Sequence, residues 1–214
     1  VTDTSESGSP LKVSGTASFT EEIARNAVTF SGDYKVDARN VSDKGIILVL
    51  AEFDEGGPHG AKRRHVIQLD HFFWDEIASG QSFVLARGDP AKRVPGCCET
   101  PLTPAAEPTA EIRVRYIQFA DGSTYGDDRT AENALRLRSA IREALVLLDN
   151  IGNDQEFLSL LAQRTKTEDV DDFLDSMRHT VKTHGTATAR KQVHTAVTAA
   201  ANHAAAMRSV RAER

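Results

Sequence analysis

The chain has 214 residues, 26 basic against 31 acidic side chains for a formal charge of -5, and 40% hydrophobic content. That length allows one large domain or two modest ones, and the apolar fraction is enough for a real core, which excludes disorder throughout. The charge balance carries no strong nucleic-acid signal. The longest purely apolar run, Gly45 to Ala51, falls far short of the ~20 residues that span a bilayer, so no transmembrane segment is expected.

The chain starts at Val1, and its first fifteen residues are rich in Ser, Thr and Gly. They read as a flexible leader of the kind left by removal of a secretory signal, so the expected location is extracytoplasmic, periplasmic or secreted. Every proline lies at or before Pro108, and beyond Asp127 only Gly152 and Gly185 interrupt the chain. This change of character places a boundary near residue 127: a leader over 1–15, a β domain over 16–126 and an α-helical region over 127–214.

Within the β domain, Tyr34, Val36 and Ala38 alternate with Lys35, Asp37 and Arg39, the period-2 pattern of a strand with one buried face, and Asn40 to Gly45 supplies a turn. Ile46 to Phe53 is a near-continuous apolar run suited to a central strand. Further strands are predicted over His65 to Phe73, Ser82 to Ala86 and Glu111 to Ala120, and Asp121-Gly122 marks a tight turn into a short last strand at Thr124 and Tyr125. Several short strands separated by turn signals predict an antiparallel β-sandwich, and with the helices that follow, an α+β fold class.

The stretch Asp37-Ala38-Arg39-Asn40-Val41-Ser42-Asp43-Lys44-Gly45-Ile46 resembles the strand, turn and strand of immunoglobulin- or fibronectin-like domains of uncharacterised bacterial envelope proteins. Phe119-Ala120-Asp121-Gly122-Ser123-Thr124-Tyr125-Gly126 resembles their closing hairpin. The resemblance covers about half the chain. It implies an immunoglobulin-like sandwich and an envelope setting, and transfers no catalytic residue.

In the C-terminal half, Ala134, Leu137, Ile141, Leu145 and Leu148 form a stripe at helical spacing, with Gly152 where that helix ends. Asn153 and Glu156 make a capped start for a short helix carrying Phe157, Leu160 and Leu161. Thr167 is the expected N-cap of a third helix, acidic at its start and basic near its end, in keeping with the helix dipole. Gly185 closes it. Thr186 to Arg211 then forms an Ala-rich helix whose small residues bury little area, so a partner or self-association through these helices is expected to support it.

Several features bear on chemistry. His59, His65 and His71 invite a metal reading, but His65 and His71 lie ~20 Å apart on an extended strand, too far to share one ion, so no metal ligand is assigned and no cofactor is expected. Cys97 and Cys98 are the only cysteines and are adjacent; they cannot form a long-loop crosslink within one chain, and are a candidate redox pair in a Pro-rich loop or a simple pair of thiols. Phe72-Phe73-Trp74 is the densest aromatic cluster, either a docking surface or ordinary packing. Arg190 and Lys191 lie in the basic C-terminal part and are candidate anion contacts, or members of a bundle whose acidic and basic faces pair. Arg87-Gly88-Asp89 spells an adhesion tripeptide but reads as a turn. The glycine-rich stretch Gly56 to Lys62 lacks the Ser or Thr and the following helix of a phosphate loop.

No nucleophile or acid-base set can be assembled from spacing alone. The leading functional reading is a non-catalytic binding or assembly protein of the bacterial envelope. Its alternatives are a metal-dependent or other hydrolase with a site between the two halves, and an anion-binding helical module on an inert sandwich.

Overall fold

A computed structural model describes residues 1–24, 27–59, 62–89, 94–96, 107–165 and 167–212. They form the strands β1 (Thr2–Asp3), β2 (Leu11–Ala24), β3 (Ala27–Asn40), β4 (Ile46–Gly56), β5 (Lys62–Asp70), β6 (Ser82–Arg87), β7 (Val94–Gly96), β8 (Thr109–Phe119) and β9 (Thr124–Gly126). A 3-10 turn at Asp128–Ala131 leads into the helices α1 (Glu132–Asp149), α2 (Asp154–Ala162), α3 (Glu168–His184) and α4 (Thr186–Ala212). A β-rich region is therefore followed by a helical one, as the change in composition predicted. Two compact units result: Val1–Leu69 with Ile77–Phe119 and Thr124–Asp127, and Asp70–Glu76 with Ala120–Ser123 and Asp128–Arg214.

The β-rich unit holds two sheets. One has the order β1-β8-β4-β5, with β9 also on β8; the other has β2-β3-β6, with β7 also on β3. β1 runs parallel to β8, so the first sheet is mixed rather than wholly antiparallel. β2 and β3 form one long hairpin, pairing Leu11 with Asn40 at one end and Ala24 with Ala27 at the other. The leader expected over 1–15 thus contributes β1 and the start of β2. The reason is a short alternation hidden among Ser and Gly: Leu11 and Val13 are buried, whereas Lys12 and Ser14 are exposed.

β4 is flanked by β8 and β5, and it is buried continuously from Ile46 to Ala51, so both of its faces are covered there. Val49, Ala51 and Phe53 join Val13, Tyr34, Val36 and Leu85 of the other sheet, and Ile112 and Val114 of β8, in one apolar cluster. The turn between β3 and β4 is organised by buried Asn40, whose side-chain amide donates to the carbonyls of Lys44 at 2.7 Å and Ile77 at 3.1 Å. Its amide oxygen accepts from the Ser42 backbone N–H and hydroxyl.

In the helical unit, α1 buries Ala134, Arg138, Ile141, Leu145 and Leu148, the predicted stripe with Arg138 added and Leu137 half-buried. Asn153 caps α2 by accepting from the Glu156 N–H at 2.9 Å. Thr167 precedes α3 but makes no side-chain cap; Asp171 instead accepts from the Thr165 N–H at 3.1 Å. Gly185 ends α3 at φ 84°, a left-handed conformation that glycine adopts without steric penalty. α4 buries Ala189, Val193, Ala196 and Ala200.

This unit also holds Asp70–Glu76 and Ala120–Ser123, which the boundary near residue 127 does not anticipate. β5 ends at Asp70 rather than running on to Phe73, because Asp70 accepts two hydrogen bonds from Arg138 of α1, at 2.9 and 3.0 Å, and one from the Phe72 N–H. The Arg138 guanidinium lies 4.4 Å from the Phe72 ring centroid. His203 of α4 contacts the Phe72 carbonyl at 2.9 Å, and Phe73 packs on Phe173 of α3. Removing one partner of a buried ion pair strands the other charge in a low-dielectric setting. Arg138→Ala is therefore expected to lower the stability of this unit by about 3 kcal/mol, measured by urea unfolding followed through the fluorescence of Trp74.

Candidate functional site

The inner face of the β-rich unit changes from apolar to polar along β4. Burial alternates from Glu52 onward, so the side chain of Glu55 shares the inward face of Phe53 and Ala51. Its side chain is 0% exposed. Neither carboxyl oxygen makes a hydrogen bond of ordinary geometry, and the nearest ion-pair geometry is Arg63 Nη1 of β5 at 3.7 Å. Burial raises the Glu55 carboxyl above its usual range, against the opposing pull of Arg63 and the Tyr34 hydroxyl.

Tyr34 reaches this cluster from β3 of the other sheet. Its ring packs 4.7 Å from that of Phe53, and its hydroxyl lies 3.3 Å from His65 Nε2 of β5. Room for the phenol depends on Gly88, where an added Cβ would sit 2.5 Å from Tyr34 Cδ1 and 2.4 Å from the Gly32 carbonyl oxygen. Burial, and then the Glu55 carboxylate, push the Tyr34 phenol up to about 12. Burial, reinforced by Arg63, holds His65 below the ordinary imidazole value, so at neutral pH the site contains an uncharged imidazole beside a protonated phenol. His65 Nδ1 is buried without a hydrogen-bond partner.

A second buried carboxylate lies on the inward face of β2. The Oε2 atom of Glu21 accepts from the His59 N–H at 3.0 Å and meets His59 Nδ1 at 2.9 Å, in the turn after β4. Its Oε1 is buried and unpaired, and the side chain is 2% exposed. A cleft of about 460 Å³ has Glu55, Arg63, Lys62, Thr109 and Glu111 among its walls, together with the Asp54–Arg64 pair. That pair is bidentate and belongs to the exposed face.

The residues singled out from sequence fall elsewhere. Phe72 and Phe73 are both buried in the helical unit, not on opposite faces of a strand, because the chain turns after Asp70; Trp74 is half-buried against Phe173. Arg190 lies 5.2 Å from the Phe157 ring centroid, 3.5 Å from Asp154 and bonded to the carbonyls of Ile151 and Asn153. Lys191 is exposed. Both line a cleft of about 310 Å³ with Asp149 and His194, which themselves pair at 3.2 Å. Opposite charges also meet at Arg178 with Asp171 and Asp175. Cys97 and Cys98 lie outside the described residues.

The three histidines occupy separate settings: His65 at Tyr34, His59 at Glu21, and His71 against the Asp75 carbonyl. Among the described residues no group of three or more His, Cys, Asp or Glu side chains is placed to hold a metal ion, and no helix is long and apolar enough to cross a membrane. Sequence reasoning named His65 but missed Tyr34, Glu55 and Arg63. The available signal was an acidic residue continuing the inward row of β4. No protein-family model, curated protein or solved structure matches the chain.

The phenol's raised value ties stability to alkaline pH. A group with a folded value near 12 and an ordinary value of 10.0 stabilises the native state fully below 10, and loses that contribution as pH rises through 12. Native stability is thus expected to fall across this alkaline window, and Tyr34→Phe is expected to flatten the fall. Denaturant midpoints measured at a series of alkaline pH values for both proteins check this.

Proposed function

We propose that the protein is a non-catalytic binding protein of the bacterial envelope. In this reading the β-rich unit is an immunoglobulin-like sandwich that takes a small polar ligand at the polar end of its interior. The helical unit provides docking or self-association. The observation that carries it is Glu55, a fully buried carboxyl whose oxygens make no hydrogen bond of ordinary geometry, with Arg63 at 3.7 Å and the Tyr34 hydroxyl as its neighbours. Buried polar groups in native proteins are almost always satisfied, and leaving one unpaired costs more than a single hydrogen bond returns. A ligand supplying the missing partners turns that cost into affinity. Tyr34 and His65 neighbour Glu55 in the interior, and a cleft of about 460 Å³ whose walls include Glu55, Lys62, Arg63 and Glu111 is within the size range of small-molecule sites.

A second reading, acid-base catalysis at the same cluster, draws on the Tyr34–His65 contact of 3.3 Å. For the anion-binding alternative, Arg190 already contacts Ile151, Asn153 and Asp154, while Lys191 is exposed.

Thermal unfolding against a panel of amines, carboxylic acids, sugars and nucleotides tests the proposal. A ligand at about 100 times its dissociation constant adds about 2.7 kcal/mol to native stability. At least one class is expected to raise the midpoint of the native protein and to have no effect on Glu55→Leu. A flat response across the whole panel would count against binding at this site.

A further inference from the structure

We infer that the contact between Tyr34 and His65 is an acid-released latch: uptake of a proton by the imidazole ends its hold on the phenol and loosens β5 from the facing sheet. The inference goes beyond the ligand reading above and does not depend on it. β5 is the end strand in the order β1-β8-β4-β5, so among the described residues it has a paired strand on one side alone. A polar tie to the other sheet is the approach of His65 Nε2 to the Tyr34 hydroxyl of β3, at 3.3 Å. The setting of the ring suits a neutral imidazole. Phe53 stands edge-on to it at 5.3 Å between centroids, the Tyr34 ring stacks at 6.2 Å, and Nδ1 is buried with no hydrogen-bond partner. A neutral imidazole carries a single N–H, and Nε2 can serve the phenol as donor or acceptor. A protonated ring carries two N–H donors and a charge, so Nδ1–H is then a buried donor without an acceptor.

The groups around the ring set the direction of the effect. Tyr34 of β3 keeps its proton at neutral and acid pH and brings no charge. Arg63, on the same inward row of β5, repels a second positive charge, whereas Asp54 of β4 attracts one but is held in its bidentate pair with Arg64. Glu55 of β4 faces Arg63 and the Tyr34 hydroxyl. Burial first, and then Arg63, hold the imidazole below its ordinary value of 6.5 against the pull of Asp54. A group lowered in the closed form stabilises that form fully above 6.5, and the contribution is lost as pH falls through the closed-form value. Glu55 acts in the opposite sense, because burial raises its carboxyl and the closed form takes that proton first. A variant at residue 65 separates the two, since it removes one titration and keeps the other.

Amide hydrogen exchange of the full chain, expressed as protection factors between about pH 7.5 and about pH 5.5, tests the latch. Protection along β5 (Lys62–Asp70) is expected to fall by up to about tenfold per pH unit below 6.5, while that of α1 (Glu132–Asp149) holds. His65→Phe keeps an aromatic ring against Phe53 without a titrating group, and is expected to abolish the fall. If that variant does not fold, the ring resonances of His65 are titrated by NMR in the native chain. Their midpoint is then expected below 6.5 and in step with the loss of protection on β5. A fall that persists in His65→Phe assigns it to another acidic or basic group and overturns the latch. So does a loss spread evenly over β5 and α1, which is global acid unfolding, or no loss at all. A ring midpoint at or above 6.5, or a ring that titrates while β5 stays protected, overturns it equally.

Discussion

A strand cannot turn one side chain away from a core without turning its whole row, and this pleat governs the β-rich unit. The row that carries Ala51 and Phe53 of β4 into the apolar cluster carries Glu55 in after them. Once Glu55 is buried, the chemistry around it is constrained by the cost of an ionised carboxyl out of water. Tyr34, Arg63 and His65 are the polar side chains that gather there, each on the inward row of its own strand, and Gly88 leaves the space that the phenol fills. The perturbed ionisation of Tyr34, Glu55 and His65 has one main cause, burial, with charge interactions as the smaller contribution.

The helical unit is organised around a different buried charge. Arg138 occupies a position on the apolar stripe of α1, where its guanidinium meets Asp70 and the face of Phe72. The contact explains why the chain leaves β5 at Asp70 and why two consecutive phenylalanines are both buried, since a turn, unlike a strand, does not send neighbours to opposite faces. Elsewhere in this unit charge closes helix ends. Arg178 donates to the carbonyls of Leu161 in the last turn of α2 and of Gln163 just after it, and Arg190 to those of Ile151 and Asn153 before α2. The Arg178 contact with Leu161 satisfies a carbonyl of the kind a helix leaves open at its C-terminal end. The segregation of acidic and basic residues along the chain is therefore used in good part by internal pairs and caps.

The two buried charges differ in their partners, and that difference bears on function. Asp70 accepts hydrogen bonds from Arg138 and from the Phe72 N–H, whereas Glu55 accepts none of ordinary geometry. The first is a finished structural contact. The second is a buried carboxyl set against the Arg63 guanidinium and the Tyr34 hydroxyl without a hydrogen bond of ordinary geometry. The aromatic cluster that stood out by composition belongs to the finished kind: Phe72 and Phe73 are covered by their own unit.

Local patterns were legible in the residues themselves. The alternation of Tyr34, Val36 and Ala38, the apolar run from Ile46, the Asn153 cap, the Gly185 stop and the stripe of α1 all follow from short-range periodicity and backbone preference, and all recur in the structure. The β-rich start and helical finish were readable for the same reason, because composition and period are properties of neighbouring residues. What sequence could not supply was the meeting of residues remote along the chain. Arg138 with Asp70, and Tyr34 with His65 and Glu55, are each drawn from separate elements whose approach depends on how whole faces pack. Neither the start of β2 in Leu11 and Val13 nor the end of β5 at Asp70 carried a strong local mark; the register with Asn40 set one and the guanidinium of Arg138 set the other. Tertiary packing alone decided that a glutamate at the end of an apolar row would be buried beside Arg63 and Tyr34, because only the folded interior removes the water that would otherwise have satisfied it.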